Sequence, residues 1–508
     1  MSSKKIAGAL VSVYHKDGLD AIIRRLASAG VKIYSTGGTL DFIRGLGVEA
    51  NSVESLTGYP SILGGRVKPL HPNVFGGILA RRDNPSDNEQ LKEYDIPLID
   101  LVIVDLYPFE QTVASGAEEQ AVIEKIDIGG ISLIRAAAKN YKDTVVVGSK
   151  AQYGELLEIL EKQDCATTLE QRRYFAAQGF NVSSHYDSAI FNYFNLTENI
   201  PAFKCSRIGG TELRYGENPH QKAAFYGDLE AIFDKLWGKE ISYNNMLDIE
   251  AAVNLISEFK DPTFVVIKHN NACGVATRPT LAAAWEAALA CDPVSAYGGV
   301  LICNRKVDSA SAEKINELFF EVIIAPDYEP AALETLQAKK NRIILRLKDS
   351  SLPDKQFRSL LGGVMEQERD AKVGGRDSQM TVVTEKGIDK QQTADLIFAN
   401  KIVKHSKSNA IVFAKDDTLL SSGIGQTSRV DALNQAITKA KSFGFSLKGA
   451  AMASDAFFPF ADCVEIAHGE GVECVVQPGG SIRDQETIDY CNRNGMAMVF
   501  TAMRHFKH

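Results

Sequence analysis

The chain has 508 residues, of which 45% are hydrophobic and 24% charged, and it carries a net charge of -8. That length exceeds what one hydrophobic core organises, so two or more domains are expected. Acids and bases are interleaved with no basic stripe, which argues against a nucleic-acid partner, and no apolar run reaches the roughly 20 residues of a membrane span. The eight cysteines, at 165, 205, 273, 291, 303, 463, 474 and 491, include no C-x-x-C and no dense framework. They read as reduced, mostly buried thiols of a cytoplasmic chain.

The first half alternates strand and helix. GLDAIIRRLASAG, residues 18–30, sets Leu19, Ile22, Ile23 and Leu26 on one helical face and ends in a glycine suited to a helix C-terminus. VKIYS follows as a strand, then a glycine loop, Thr36-Gly37-Gly38-Thr39, then the helical LDFIRGLG. Strand, glycine loop and helix together expose backbone N–H groups that suit an anion. LIDLVIVDLYPF reads as a buried parallel strand ending at Tyr107-Pro108, IDIGGISLIRAAAKN as a Gly-Gly turn becoming a helix, and 141–148 as a further strand. Alternating strands and helices predict a parallel α/β domain.

From about 152 to 200 the pattern is helical and polar, with an aromatic stripe best read as core packing. NLTENIPAF then has the punctuation of a linker. The predicted domains are residues 1–200 and 201–508. The second repeats one grammar, an apolar strand, a short polar or glycine cluster and a helix, in segments such as FVVIKHNNACG, SAYGGVLICN, NAIVFAK, LLSSGIGQTSRVDA and ECVVQPGGSIRD. Two related halves are conceivable, but no sequence repeat is evident.

VVIKHNNACG sets Lys268 and His269 side by side at the end of a strand, where serving one site requires the strand to end or bend. Turn-prone Asn270, Asn271 and Gly274 supply the bend. Two readings stand: a histidine base beside a cation that stabilises an oxyanion, or a surface turn with an incidental basic pair. Cys273 reads better as a buried structural thiol than as a nucleophile, since nothing in the sequence orients it. His468-Gly469-Glu470 matches half of the zinc deaminase signature, but P-C-x-x-C is absent, so no metal site is predicted. Three glycine clusters combine backbone donors with hydroxyls or cations: 36–39, Gly64-Gly65-Arg66-Val67-Lys68, and QPGGSIRD at 477–484. They suggest two separate anionic-ligand sites; no P-loop is present.

Taken together, SVYHKDGL, STGGT, LTGYPSILGGRVKPLHP, DLYPF, IDIGGISLIRAAAKN, LRYGENPHQ, VIKHNNACG, SAYGG, KSNAIVFAK, GIGQTSRVDA, SDAFFPF, VVQPGGSIRD and the terminal RHFKH span the chain. In that order they closely resemble the bifunctional AICAR transformylase / IMP cyclohydrolase family. The resemblance implies an amino-terminal methylglyoxal-synthase-like parallel-sheet domain and a carboxy-terminal transformylase domain of deaminase-like α/β/α units. It implies formyl transfer from 10-formyltetrahydrofolate to the amine of AICAR, then dehydrative closure of FAICAR to IMP. It also implies a homodimer with transformylase sites between subunits, no bound cofactor and no metal.

By resemblance, His269 moves the amine proton, Lys268 stabilises the oxyanion or protonates the leaving folate nitrogen, and Asn409 hydrogen-bonds near the formyl group. Arg214, Tyr215, Glu321, Arg429, Arg504 and His508 match substrate contacts, and Asp455 and Phe458 lie in the folate-contacting segment. Lys68, Tyr107, Asp127 and Lys139 match the cyclohydrolase groups. Ser12, Lys16, Thr36, Gly37, Thr39 and Arg66 fall where the family binds the nucleotide phosphate or places neighbouring loop donors. The sequence departs from the pattern at Pro69, Asn271-Ala272 and His405, where threonine, an x-Pro pair and tyrosine are more usual. A non-catalytic nucleotide-binding regulator, or a transformylase with an inactive first domain, are the competing readings.

Overall fold

A computed structural model describes residues 3–60, 62–63, 67–348, 351–377 and 379–508. The chain divides into two compact units, Met1–Gly209 and Gly210–His508.

The first unit is built on a five-stranded sheet in the order Asn51–Ser52, Lys32–Ser35, Gly8–Ser12, Leu101–Val104, Val145–Val147. Every neighbouring pair is parallel, so helices must return the chain across its faces. The helix Leu19–Ser28 buries Leu19, Ile22, Ile23 and Leu26, the stripe its 3.6-residue spacing predicts. The Thr36–Thr39 cluster differs from expectation: Gly37 already opens the helix Gly37–Gly45, so the glycine pair is a first helical turn and not a loop. The aromatic stripe lies on one 30-residue helix, Leu169–Glu198, opened by a Thr168/Gln171 capping box. Phe175 and Tyr186 are buried, while Tyr174, Phe180 and Phe194 remain exposed.

The second unit carries a 12-stranded mixed sheet that repeats one topology. In its first half the hairpin Thr263–Lys268/Asn271–Thr277 is followed by Val300–Cys303, Val322–Ala325 and Ile343–Leu347 in parallel, closed by antiparallel Phe233–Trp237. In its second, Ile411–Lys415/Thr418–Gly423 is followed by Ala451–Ser454, Cys474–Gln477 and Ala497–Phe500, closed by Thr381–Val382. The halves join where Ala276 pairs with Thr418.

The correspondence extends to single groups. Each hairpin turns on two residues of positive φ, His269 and Asn270 at 52° and 64°, Asp416 and Asp417 both at 49°. That is the hand a two-residue turn needs, and Asn and Asp tolerate it. An aspartate from the preceding helix caps each turn: Asn270 N–H donates to Asp248 at 2.6 Å, and Asp417 N–H to Asp395 at 3.2 Å. Each turn lysine reaches a loop carbonyl, Lys268 Nζ to Tyr297 O at 2.8 Å and Lys415 Nζ to Lys448 O at 2.9 Å. KHNNACG and KSNAIVFAK are therefore parts of antiparallel hairpins, where the sequence grammar predicts strand-to-helix passages. Between the halves a separate hairpin, Lys355–Leu360/Gly363–Glu368, exposes Leu361 and Met365.

Candidate active sites

In the first unit, parallel strands deliver several candidate groups to one edge of the sheet. Ser12 Oγ and Thr36 Oγ1 lie 2.8 Å apart. Thr39 Oγ1 accepts from Val13 N–H at 3.1 Å and donates to Val13 O at 2.9 Å, fixing the loop after the first strand. Lys16 Nζ folds onto that loop, donating to Val13 O and Tyr14 O. Lys68 Nζ is 3.4 Å from Glu54 Oε1 and stands beside Gly37, 4.0 Å from where a Cβ there would be, over the amino end of the Gly37–Gly45 helix. Arg66 lies outside the described residues.

Tyr107 leaves the neighbouring strand half-exposed, its ring edge-on to Tyr14 at 5.8 Å. Asp127 faces it: the carboxylate accepts the backbone N–H of Gly130, at 2.6 Å, and those of Ile131 and Tyr107. Burial nonetheless lifts Asp127 above the ordinary carboxylate range, and burial likewise raises the Tyr107 phenol, so the phenol holds its proton. The approach depends on Gly130, where a Cβ would come within 2.8 and 2.9 Å of the two carboxylate oxygens. Pro69 packs on Gly129, where a Cβ would lie 2.7 Å from its ring. Lys139 is not brought to this cluster. It ends the helix Gly129–Lys139, exposed and about 13 Å along the axis from Gly130, because the helix carries the chain back toward the start of the next strand.

In the second unit the Lys268–His269 turn is linked to the segment that bears Asn409. Asn271 Nδ2 donates to His269 O at 2.8 Å while Asn271 Oδ1 accepts from Lys407 N–H at 3.3 Å. His269 is exposed. Lys268 Nζ lies against Gly298, 3.2 Å from a Cβ placed there, and Glu321 N–H bonds Gly299 O at 3.0 Å on the adjacent strand entry. Glu321 pairs with Lys239 at 2.5 Å. Asn409 Oδ1 accepts from Arg429 Nη2 at 3.0 Å, and Asn409 Nδ2 donates to Gln426 O at 3.1 Å, so the amide is held from both ends. Arg429 also bonds Ser454 Oγ at 2.8 Å and forms a buried ion pair with Asp455. The carboxy-terminal segment closes this region: Ser408 N–H donates to Lys507 O at 2.8 Å, and His505 N–H to Asp455 O at 2.9 Å.

Other predicted residues stand differently. Phe458 is fully buried in the second half's core; Phe457 and Phe460 on the same segment are exposed, with Arg483 4.8 Å over the Phe460 ring. Arg214 stacks on Tyr215 at 5.2 Å near an exposed hairpin. Arg504 stacks on Phe506, whose ring is 5.4 Å from that of His508, on the exposed tail. His405 is buried against Glu258, which also takes Lys404 at 2.6 Å. In QPGGSIRD the N–H groups of Gly480 and Ser481 both donate to Asp484, so these two donors are already used. His468 bonds Tyr490 while Glu470 pairs with Lys441, so the H-x-E match is divided between separate partners. Cys273 donates to Val266 O, and burial pushes its thiol up to about 12, which removes the thiolate a nucleophile needs. Unforeseen in the first cluster are Tyr14, His15, Asp105 and Lys125, although SVYHKDGL contains the first two.

A parallel α/β unit with hydroxyl, lysine, phenol and carboxylate groups at one sheet edge, followed by a doubled mixed-sheet unit with a Lys–His turn, is the architecture of a two-site enzyme. A model of the AICARFT/IMPCHase bienzyme family matches residues 137–439, and an MGS-like domain model matches residues 18–132. The chain is 63% identical over 506 residues to the bifunctional purine biosynthesis protein PurH of Bacteroides thetaiotaomicron, covering 100% of this chain and 99% of that one. It is 44% identical over 516 residues to the protein of the same name from Caldicellulosiruptor saccharolyticus, covering 98% and 99%. Against that from Persephonella marina it is 44% identical over 515 residues, with the same coverage. The chain belongs to the AICARFT/IMPCHase bienzyme family.

Proposed function

We propose that the chain divides its family's two activities between its units, with ring closure in residues 1–200 and formyl transfer in residues 201–508. The enzyme is a bifunctional transformylase and cyclohydrolase for the last two steps of IMP synthesis, with a folate as co-substrate. In the first step the 5-amino group of AICAR attacks the formyl carbon of 10-formyltetrahydrofolate. That amine is conjugated with a carboxamide-bearing ring and is a poor nucleophile, so it must lose a proton as it attacks. His269 takes that proton, Lys268 stabilises the oxyanion, and Asn409, oriented by Arg429, hydrogen-bonds the formyl oxygen. The observation that supports this most is the Asn271–Lys407 bond, which ties the Lys–His turn to the Asn409 segment. Glu321 contacts the substrate beside Lys268, and Arg214, Tyr215, Arg504 and His508 bind its phosphate and carboxamide.

The second step is intramolecular, so the site mainly folds the substrate into reach and manages protons. The Tyr107 phenol, kept protonated by burial, and Lys68 donate to the formyl oxygen, and Asp127 receives the amide. Ser12, Thr36, Lys16 and the amino end of the Gly37–Gly45 helix hold the phosphate. Lys139 takes no part in the cleft of its own unit. No cofactor is retained between turnovers. The enzyme is a homodimer in which the second copy completes each transformylase site, a reading supported by the exposed 355–368 hairpin. Its eight unpaired cysteines suit the cytoplasm.

The test is turnover by the purified chain given AICAR and 10-formyltetrahydrofolate, with tetrahydrofolate followed by absorbance and nucleotides by chromatography. Equal amounts of tetrahydrofolate and IMP are expected; tetrahydrofolate formed without IMP would remove the cyclohydrolase half of the reading.

A further inference from the structure

The edge of the first unit's sheet that holds Tyr107 and Asp127 also holds an imidazole–carboxylate pair to which no role has been given. His15 lies on the loop between the strand Gly8–Ser12 and the helix Leu19–Ser28. Its Nδ1 is 2.8 Å from Asp105 Oδ2, and Asp105 also accepts the backbone N–H of His15 at 2.9 Å and that of Tyr14. Asp105 is buried, at the end of the strand paired with that of Ser12. A carboxylate can only accept, so Nδ1 carries the hydrogen, and in the neutral ring Nε2 is the lone-pair acceptor. Among the described residues Nε2 makes no hydrogen bond, and the imidazole is 32% exposed. Tyr14 stands between it and the reaction cluster, its ring 4.9 Å from that of His15 and 5.8 Å from that of Tyr107. Lys125 Nζ lies over both tyrosines, at 5.4 and 5.7 Å, on the same side of the cleft.

Had Asp105 only to pin the loop, its two backbone donors would suffice. The third bond instead fixes an imidazole in one orientation at the partly exposed end of the cleft, with the Tyr14 ring between it and the Tyr107 phenol, whose proton burial retains. We infer that His15, oriented by Asp105, is a general acid–base residue of ring closure, its Nε2 taking a proton from the substrate carboxamide and returning it to the departing hydroxyl. The inference rests on the assignment of ring closure to this unit. As the carboxamide nitrogen attacks, the N–C bond forms, its proton passes to Nε2, and the formyl C–O π pair moves onto oxygen, which takes the Tyr107 proton. The imidazolium then protonates the resulting hydroxyl. The C–O bond breaks, water leaves, and the remaining nitrogen surrenders its proton to the Tyr107 phenolate as the C=N bond forms. Both groups end as they began. Asp105 is a positioning residue in this scheme, since it acts only through His15.

The test uses the full chain and isolated FAICAR, with His15→Gln as the main variant, because its amide keeps a donor for Asp105 but cannot carry the proton. Cyclisation kcat is expected to fall on the order of 10²-fold, the typical contribution of a general acid–base group, with KM little changed and formyl transfer to AICAR untouched. His15→Ala is expected to be as slow and to regain rate on addition of free imidazole, a rescue that a packing role would not give. An unchanged kcat in His15→Gln, or a loss confined to KM, overturns the inference. Wild-type enzyme and Lys68→Ala run alongside: failure of the wild type to close FAICAR would instead overturn the assignment of ring closure, and this inference with it.

Discussion

Replacing Arg429 by Met tests whether the second unit's site is held by a buried charge pair. The guanidinium is 8% exposed and its partner Asp455 is fully buried, so removing the cation leaves an uncompensated carboxylate in the core. Loss of one partner of such a pair costs about 3–5 kcal/mol, and the bonds to Ser454 and Asn409 contribute about 1 kcal/mol each, not fully additively. We expect about 4 kcal/mol of destabilisation against a total in the usual range of about 5–15 kcal/mol. The assay is built into the sequence: the chain has 2 tryptophans, Trp237 and Trp285, both in the second unit. Urea unfolding followed by their fluorescence therefore reports on that unit alone. Combined with Asp455→Leu, which removes the stranded charge, Arg429→Met is expected to recover part of the loss and to reveal a coupling of at least about 2 kcal/mol. A single-variant cost below about 1 kcal/mol, or a double variant equal to the sum of the singles, would refute the reasoning.

Gly130→Ala puts a methyl within 2.8 Å of the Asp127 carboxylate; cyclisation is expected to fall at least about ten-fold with formyl transfer intact, and equal loss of both would show a general folding defect. Glu258 is pushed up by burial but pulled down more strongly by hydrogen bonds from His405 and Lys404, to about 2 from its ordinary 4.5. Burial pulls His405 itself below its usual value, while Lys404 and Arg376 both pair with the Glu258 carboxylate. A carboxylate with a depressed folded pKa contributes stability that is complete above pH 4.5 and is lost as pH falls toward about 2. The loss is on the order of 3 kcal/mol. Glu258→Gln should flatten that part of the acid-unfolding curve, and an unchanged slope would contradict the assignment. Phe458→Ala is expected to cost about 3–5 kcal/mol of stability, whereas Phe460→Ala should raise KM for the folate with little change in stability; the reverse pattern would restore Phe458 as a ligand contact.

Much of this was legible because periodicity reports burial. The Leu19–Leu26 stripe and the Leu101–Val104 run follow from which faces the sheet covers. The doubling of the second unit was not, since it lives in the path of the backbone: Lys268-His269-Asn270 and Lys415-Asp416-Asp417 share a turn conformation and capping pattern while sharing only the lysine. Site residues divide along the same line. Tyr107, Asp127, Lys68 and Asn409 come to clusters because each sits at a strand end or beside a helix start. Lys139 does not, because eleven residues of helix carry it to the opposite edge. Phe457, Phe458 and Phe460 are chemically alike in the sequence, and only the packing shows which one faces inward. His15 lies within SVYHKDGL, but its significance depends on Asp105, ninety residues away.

The measurement that bears most directly on a division of labour between the units is product analysis for His269→Ala and Lys68→Ala supplied with AICAR and 10-formyltetrahydrofolate. The account predicts that His269→Ala forms no FAICAR from AICAR yet closes added FAICAR at the wild-type rate, and that Lys68→Ala accumulates FAICAR. A single substitution that abolished both reactions in a folded protein would contradict it.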